Sequence, residues 1–220
     1  MFRHLFLFLC VFAFGDQLNI SVLERIFDNI LSRTERIVKD GNRGRVLNEQ
    51  FYHHQFSSLL TKYYVDQKID PWRRMIIIPD HPTKALYSWK EFGLNRPKTT
   101  QKLALEEGIP AKFDFVIRDE PRIHIEWKGP NLYNSRDVAK DLTKLLMLEG
   151  RKPIKIFAAI ITSSQTADPR HIHELTARFY EALEFTQVIL EIDDIHRMNL
   201  YAYIATVPDS GAEKFIWGKV

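Results

Sequence analysis

Three residues in the middle of the chain have the types and spacing for chemistry at a phosphate. Asp114 lies in Phe113-Asp114-Phe115-Val116-Ile117, and Glu126 and Lys128 lie in Ile123-His124-Ile125-Glu126-Trp127-Lys128. Two carboxylates brought close together repel, and a proton or a cation relieves them. A divalent ion with oxygen ligands fits such a pair, and Mg²⁺ typically binds through one or two carboxylates plus substrate phosphate. Such an ion acidifies a water and polarises a phosphoryl oxygen. A protonated lysine alongside steadies the charge that develops on that oxygen. Flanked by two acids, Lys128 is expected to stay protonated, which favours this electrostatic role over that of a base.

The residues need strands to hold them. Both runs are rich in β-branched and aromatic residues, and the charged Arg118-Asp119-Glu120-Pro121-Arg122 separates them, so they read as a β-hairpin. A hairpin symmetric about Glu120 sets Asp114 opposite Glu126, Val116 opposite His124 and Lys112 opposite Lys128. Side chains alternate between faces, so Phe113, Phe115 and Ile117 are expected to share an apolar face with Ile123, Ile125 and Trp127. Glu126 and Lys128, two apart, point the same way whatever the register.

Further elements surround the hairpin. Residues 46–64 read as a helix, with Leu47, Phe51, Phe56, Leu59, Leu60 and Tyr63 roughly at helical spacing. Met75-Ile76-Ile77-Ile78 reads as a short strand closed by Pro79. Residues 136–149 read as a helix with Val138, Leu142, Leu145, Leu146 and Leu148 as its apolar set and Gly150 just past its end. Residues 154–161 form a buried-type strand.

The motif residues, in this order of elements, resemble the PD-(D/E)XK nuclease superfamily, the restriction-endonuclease-like phosphodiesterases. Asp114 matches the motif aspartate and Glu126-x-Lys128 the (D/E)-x-K part, while Pro110 stands four residues before Asp114 instead of next to it. The resemblance covers about residues 45–162. It implies an α/β fold with a restriction-endonuclease-like α-β-β-β-α-β core, a central mixed sheet flanked by helices. It also implies hydrolysis of DNA with Mg²⁺ or Mn²⁺, with a restriction or defence role, and action as a homodimer or with a partner subunit. RNA cutting, a repair or structure-selective role and a catalytically silent nucleic-acid-binding module are the alternatives. By the same resemblance the carbonyl of Trp127 joins Asp114 and Glu126 as a metal ligand, and an acid from the first helix completes the site. Glu49 is that candidate; its other reading is an N-terminal helix acid favoured by the macrodipole.

The remaining sequence adds layers. Residues 18–38 form an amphipathic helix with Ile20, Leu23, Ile26, Phe27, Ile30 and Leu31 on one side. Residues 168–184 read as a helix opened by Asp168-Pro169. Residues 188–192, 200–207 and 215–220 read as strands, with a turn at Pro208-Asp209-Ser210-Gly211 and a loop at Gly41-Asn42-Arg43-Gly44. No repeat or long linker divides the 220 residues, so residues 16–220 are expected to be one domain.

Composition constrains function loosely. Hydrophobic residues at 45% suffice for a sizeable core, and a net charge of +3 permits nucleic-acid binding without arguing for it. From Lys84 to Lys102 the chain carries five basic residues (Lys84, Lys90, Arg96, Lys98 and Lys102) against one acid, Glu91, with Tyr87, Trp89 and Phe92 interleaved. Lys90, Arg96, Lys98 and Lys102 are the candidates for DNA contact, since basic side chains neutralise phosphates and aromatic rings stack on bases; a solvated loop is the plainer reading. The apolar run Leu5 to Phe14 after Met1-Phe2-Arg3-His4 is signal-peptide-like and too short for an ordinary membrane span. A buried N-terminal element or a start codon placed too far upstream explains it equally. The expected location is cytoplasmic, with secretion or periplasmic export if residues 1–15 are a signal. Cys10 is the only cysteine, which excludes an internal disulfide and cysteine-based zinc sites. His53-His54 and His171-x-His173 fit no familiar zinc spacing, and Lys140 and Lys144 read as surface lysines. His124 faces the proposed site.

Overall fold

The computed structural model describes residues 18–41, 47–87, 109–129, 134–148, 152–162, 169–207 and 212–220. The apolar run at residues 1–15, the basic residues Lys90, Arg96, Lys98 and Lys102, most of the loop at residues 41–44 and the turn at residues 208–211 lie outside them.

The protein is α/β. Helix α1 (Ile20–Lys39) and α2 (Glu49–Asp66) are followed by β1 (Ile77–Tyr87), β2 (Ile109–Ile117), β3 (Ile123–Lys128), α3 (Ser135–Leu146), β4 (Ile154–Ile161), α4 (Pro169–Ile189), a short 3₁₀ helix (Ile195–Met198), β5 (Leu200–Thr206) and β6 (Glu213–Lys219). The six strands form one mixed sheet in sequence order. The first three run antiparallel, β3, β4 and β5 run parallel, and β6 turns back antiparallel. The two parallel steps are where helices α3 and α4 intervene, as parallel neighbours require a crossover. From α2 to β4 the order is helix, three strands, helix, strand, as the sequence predicts.

Asparagine caps start three of the helices. The side chains of Asn19, Asn48 and Asn134 accept hydrogen bonds from the backbone N–H groups of Val22, Phe51 and Arg136, satisfying donors that the first turn leaves open. The cap at Asn48 makes Glu49 the first residue of α2.

Each sheet face carries a core. On one side α1 and α2 press Phe27, Ile30, Phe56 and Leu60 onto Phe115, Ile125, Trp127, Ile156 and Tyr203. On the other, α3 and α4 press Leu142, Leu145, Phe179 and Leu183 onto Val116, Phe157, Ala159 and Ile204.

Three expectations are corrected. The strand expected to stop at Pro79 continues to Tyr87 through Pro79 and Pro82; β1 is an edge strand, where a proline leaves no ladder bond broken. Residues 188 and 189 do not begin a strand: they end α4, whose buried stripe of Leu175, Phe179, Ala182 and Leu183 continues to Ile189 at helical spacing. Phe113 does not share a face with Phe115 and Ile117 but packs in the opposite core, with Val116. Alternation is therefore broken at Asp114, where the hairpin ladder has ended.

Candidate functional site

Hairpin symmetry gives the correct register. Ile117 pairs with Ile123, Val116 with His124 and Phe115 with Ile125, and the ladder stops there. Asp114 lies one residue past the last pair, so the expected pairings of Asp114 with Glu126 and of Lys112 with Lys128 do not form. Released from the ladder, the Asp114 carboxylate takes a different partner: its Oδ2 accepts the backbone N–H of Trp127 at 2.5 Å. This bond anchors the carboxylate at the end of β3.

Helix α2 approaches the same point. A Cβ added to Gly129 would meet the Tyr52 ring at 2.7 Å and lie 3.6 Å from the Glu49 Cα. Glycine at this position leaves room for the buried Tyr52 ring of α2 against the end of β3. The approach brings Glu49 and His53, one helical turn apart, to Asp114, and ligand atoms of all three lie within 4.8 Å of one another. His53 Nε2 is 3.6 Å from Asp114 Oδ2, beyond hydrogen-bond length.

Helix α3 covers the other side. Lys144 Nζ lies 2.6 Å from Glu126 Oε2 and 2.9 Å from Asp141 Oδ1, and the other Asp141 oxygen is 2.7 Å from Lys128 Nζ. Glu126, Lys144, Asp141 and Lys128 thus form an alternating chain of charges. Three of the four are largely shielded from solvent: the side chains of Glu126, Asp141 and Lys144 are 2%, 10% and 11% exposed.

Electrostatics follow from this crowding. Burial pushes the Glu126 carboxyl well above the usual carboxylate range; Lys144 opposes that push, while Asp141 and Asp114 add to it. Burial alone would lower the pKa values of Lys144 and Lys128, but their carboxylate partners more than reverse it, so both ammonium groups are held charged. Lost hydration and the Asp114 carboxylate raise Glu49. His53 would be lowered by burial, but Asp114 and Glu49 raise it on balance.

The residues present fit a divalent cation. Four carboxylates (Glu49, Asp114, Glu126 and Asp141) face two lysines and His53, so the acids outnumber the bases by one. Two buried atoms, Glu126 Oε1 and His53 Nε2, have no hydrogen-bond partner among the described residues. Two carboxylates and an imidazole form a donor set that suits a first-row divalent metal better than Mg²⁺, which takes oxygen ligands.

The fold thus gathers Asp114, Glu126, Lys128 and Glu49 at one end of the sheet. The buried indole of Trp127 faces α2 and the α1 side of the core. Lys144, expected on the surface, is buried and ion-paired. His124, expected to face the site, is 5% exposed and lies edge-on to Phe113 beneath it. His54 and His173 are exposed, whereas His53, set aside with them on spacing, is in the site.

Sequence reasoning missed two participants, His53 and Asp141. Both left a signal. His53 follows Glu49 at i+4 on one helix face. Asp141 sits three residues after Val138 and four before Leu145, a charged residue in an apolar stripe.

No family model, curated protein or solved structure matches this chain.

Proposed function

We propose that this protein is a metal-dependent phosphodiesterase of restriction-endonuclease-like fold, with DNA as substrate and RNA as the alternative. One observation carries the reading: Asp114, Glu126 and Lys128 meet Glu49 and His53 at one end of the sheet, where acids outnumber bases. The proposed cation ligands are Asp114, Glu49 and His53, with Glu126 and the Trp127 carbonyl as further candidates by the resemblance; Mn²⁺ or Mg²⁺ is the proposed ion. Bound there, such an ion would acidify a water and polarise a phosphoryl oxygen.

The chain's own residues do the rest. The Trp127 N–H holds the Asp114 carboxylate in place. Lys128, kept protonated by Asp141, is suited to hold a phosphoryl oxygen as its charge grows, and is not suited to take a proton from water. Water adds to phosphorus, the P–O bond to one sugar breaks, and that oxygen leaves as a hydroxyl while the phosphate stays on the other fragment. A restriction or defence role is the proposed setting, and the basic stretch from Lys84 to Lys102 is the proposed contact for nucleic-acid phosphates.

A second reading is a nucleic-acid-binding module of the same fold without catalysis. It draws on the fact that Glu126 Oε2 and Lys128 are both ion-paired to α3, as in a purely structural ion network.

Cleavage of plasmid, linear duplex, single-stranded DNA and RNA, with Mg²⁺, Mn²⁺ or EDTA, separates the two. Metal-dependent cutting that falls at least about a thousandfold in Asp114→Ala, and about a hundredfold or more in Lys128→Ala, is the expected result. Binding without cutting of any of these substrates transfers the assignment to the silent module.

A further inference from the structure

We propose that the site holds a single divalent cation, because the Lys144 ammonium stands where a second would bind. The proposal rests on the cation reading above and specifies its stoichiometry and charge arrangement.

Phosphodiesterases with two metal ions place them about 3.5–4 Å apart, each held by carboxylate and carbonyl oxygens. The surroundings of Lys144 Nζ have that composition. It lies 2.6 Å from Glu126 Oε2, 2.9 Å from Asp141 Oδ1 and 3.1 Å from the backbone carbonyl oxygen of Lys112. The three oxygens come from β3, α3 and β2, and together they use all three donors of an ammonium group. The side chain is 11% exposed and its ammonium group is held by three oxygens, so this is not a surface lysine resting on a single acid.

A second divalent ion would need Glu126 Oε2 and the near Asp141 oxygen, both of which Lys144 holds. Displacing the ammonium would leave it buried without partners, which is costly. Asp141 cannot turn away without also releasing Lys128. On the other side of Glu126, Oε1 is buried and has no partner among the described residues, so one vacancy for positive charge remains, not two. Asp114, of the Glu49–His53–Asp114 group, lies close enough to Glu126 to add to the push on its carboxyl. Lys144 is thereby assigned as a permanent positive centre in the site, with the divalent ion as the exchangeable one.

Titration of the purified full chain with Mn²⁺, followed by equilibrium dialysis and by electron paramagnetic resonance, tests this. Wild type is expected to bind one ion with the spectrum of an isolated Mn²⁺. Lys144→Met, similar in length and uncharged, is expected to bind two, with the spin coupling of a close pair; Lys144→Arg should remain at one. Lys144→Gln, which keeps a hydrogen-bond donor, replaces the methionine variant if circular dichroism shows that variant unfolded. Two coupled ions in wild type, or one ion in both uncharged variants, would overturn the proposal. No Mn²⁺ bound by wild type would instead overturn the cation reading itself, and this inference with it.

Discussion

The two faces of the sheet solve opposite problems. Toward α1 and α2 the core is apolar and aromatic: Phe27 packs against Phe56, Trp127 and Tyr203 with ring centroids 5.6, 5.3 and 4.9 Å away, and Phe56 reaches Phe115 at 5.0 Å. Toward α3 the sheet face buries polar and charged groups. As whole residues, Glu126, Lys155 and His124 on the strands and Asp141 on α3 are 1%, 0%, 5% and 7% exposed. Burying apolar area stabilises a fold outright, whereas a buried ion pair roughly breaks even and becomes a liability when one partner is lost. The contrast assigns the labour: one face supplies stability, and the other spends some of it to hold charges in place.

Substitutions on either face test that contrast. The largest expected loss of stability is on the aromatic side. Phe27→Ala removes a fully buried ring packed on Phe56, Trp127 and Tyr203 and should lower the unfolding free energy by about 3–5 kcal/mol in urea titrations. A loss below about 1 kcal/mol would mean that this face does not carry the fold.

On the charged side, Asp141→Ala strips the shared partner from Lys128 and Lys144 and should cost about 2–3 kcal/mol, discounted because Lys128 is partly solvated. Adding Lys144→Met to it should recover part of the loss, since the stranded ammonium is then gone. A double variant no more stable than Asp141→Ala would argue that packing, not charge, accounts for the effect.

The smallest effect has the opposite sign. Lys155 is fully buried on β4, its Nζ donating to the Leu148 carbonyl, and burial pulls its pKa down to about 8 from 10.5. Between those two values the unfolded chain binds the proton and the folded chain does not, so stability rises with pH across that window. Below pH 8 both states are charged and the cost is fully present. Lys155→Met should therefore stabilise the protein by about 2 kcal/mol at pH 7, with the gain shrinking toward pH 10. Parallel stability curves for the two proteins over pH 7–10 would show that Lys155 is not strained.

These faces were unequally legible. The amphipathic helix over α1, the Leu142–Leu145 stripe of α3, the β4 run and the hairpin register all follow from local periodicity, because alternation and the 3.6-residue turn are properties of the backbone itself. Asp114, Glu126 and Lys128 stood out by type and spacing, whereas Glu49 was a candidate only through the resemblance. Proline misled at Pro79 because an edge strand tolerates what a central strand does not, and edge position is not a local property. Lys144 misled because a lysine reads the same on a surface and in a cage of oxygens.

The sequence by itself determined which segments form helices and strands, and which acids and lysine lie at the ends of the hairpin strands. Tertiary structure alone decided how they are partnered. The end of the ladder at Phe115 freed Asp114 to accept the Trp127 N–H. Gly129 let α2 bring His53 and Glu49 to it. Helix α3, by its rotation against the sheet, placed Lys144 and Asp141 between the motif charges. Periodicity fixes which face of an element is apolar, but the distance between charges on different elements is set by packing, and at 3 Å it is that distance which determines whether a carboxylate meets a lysine or a metal.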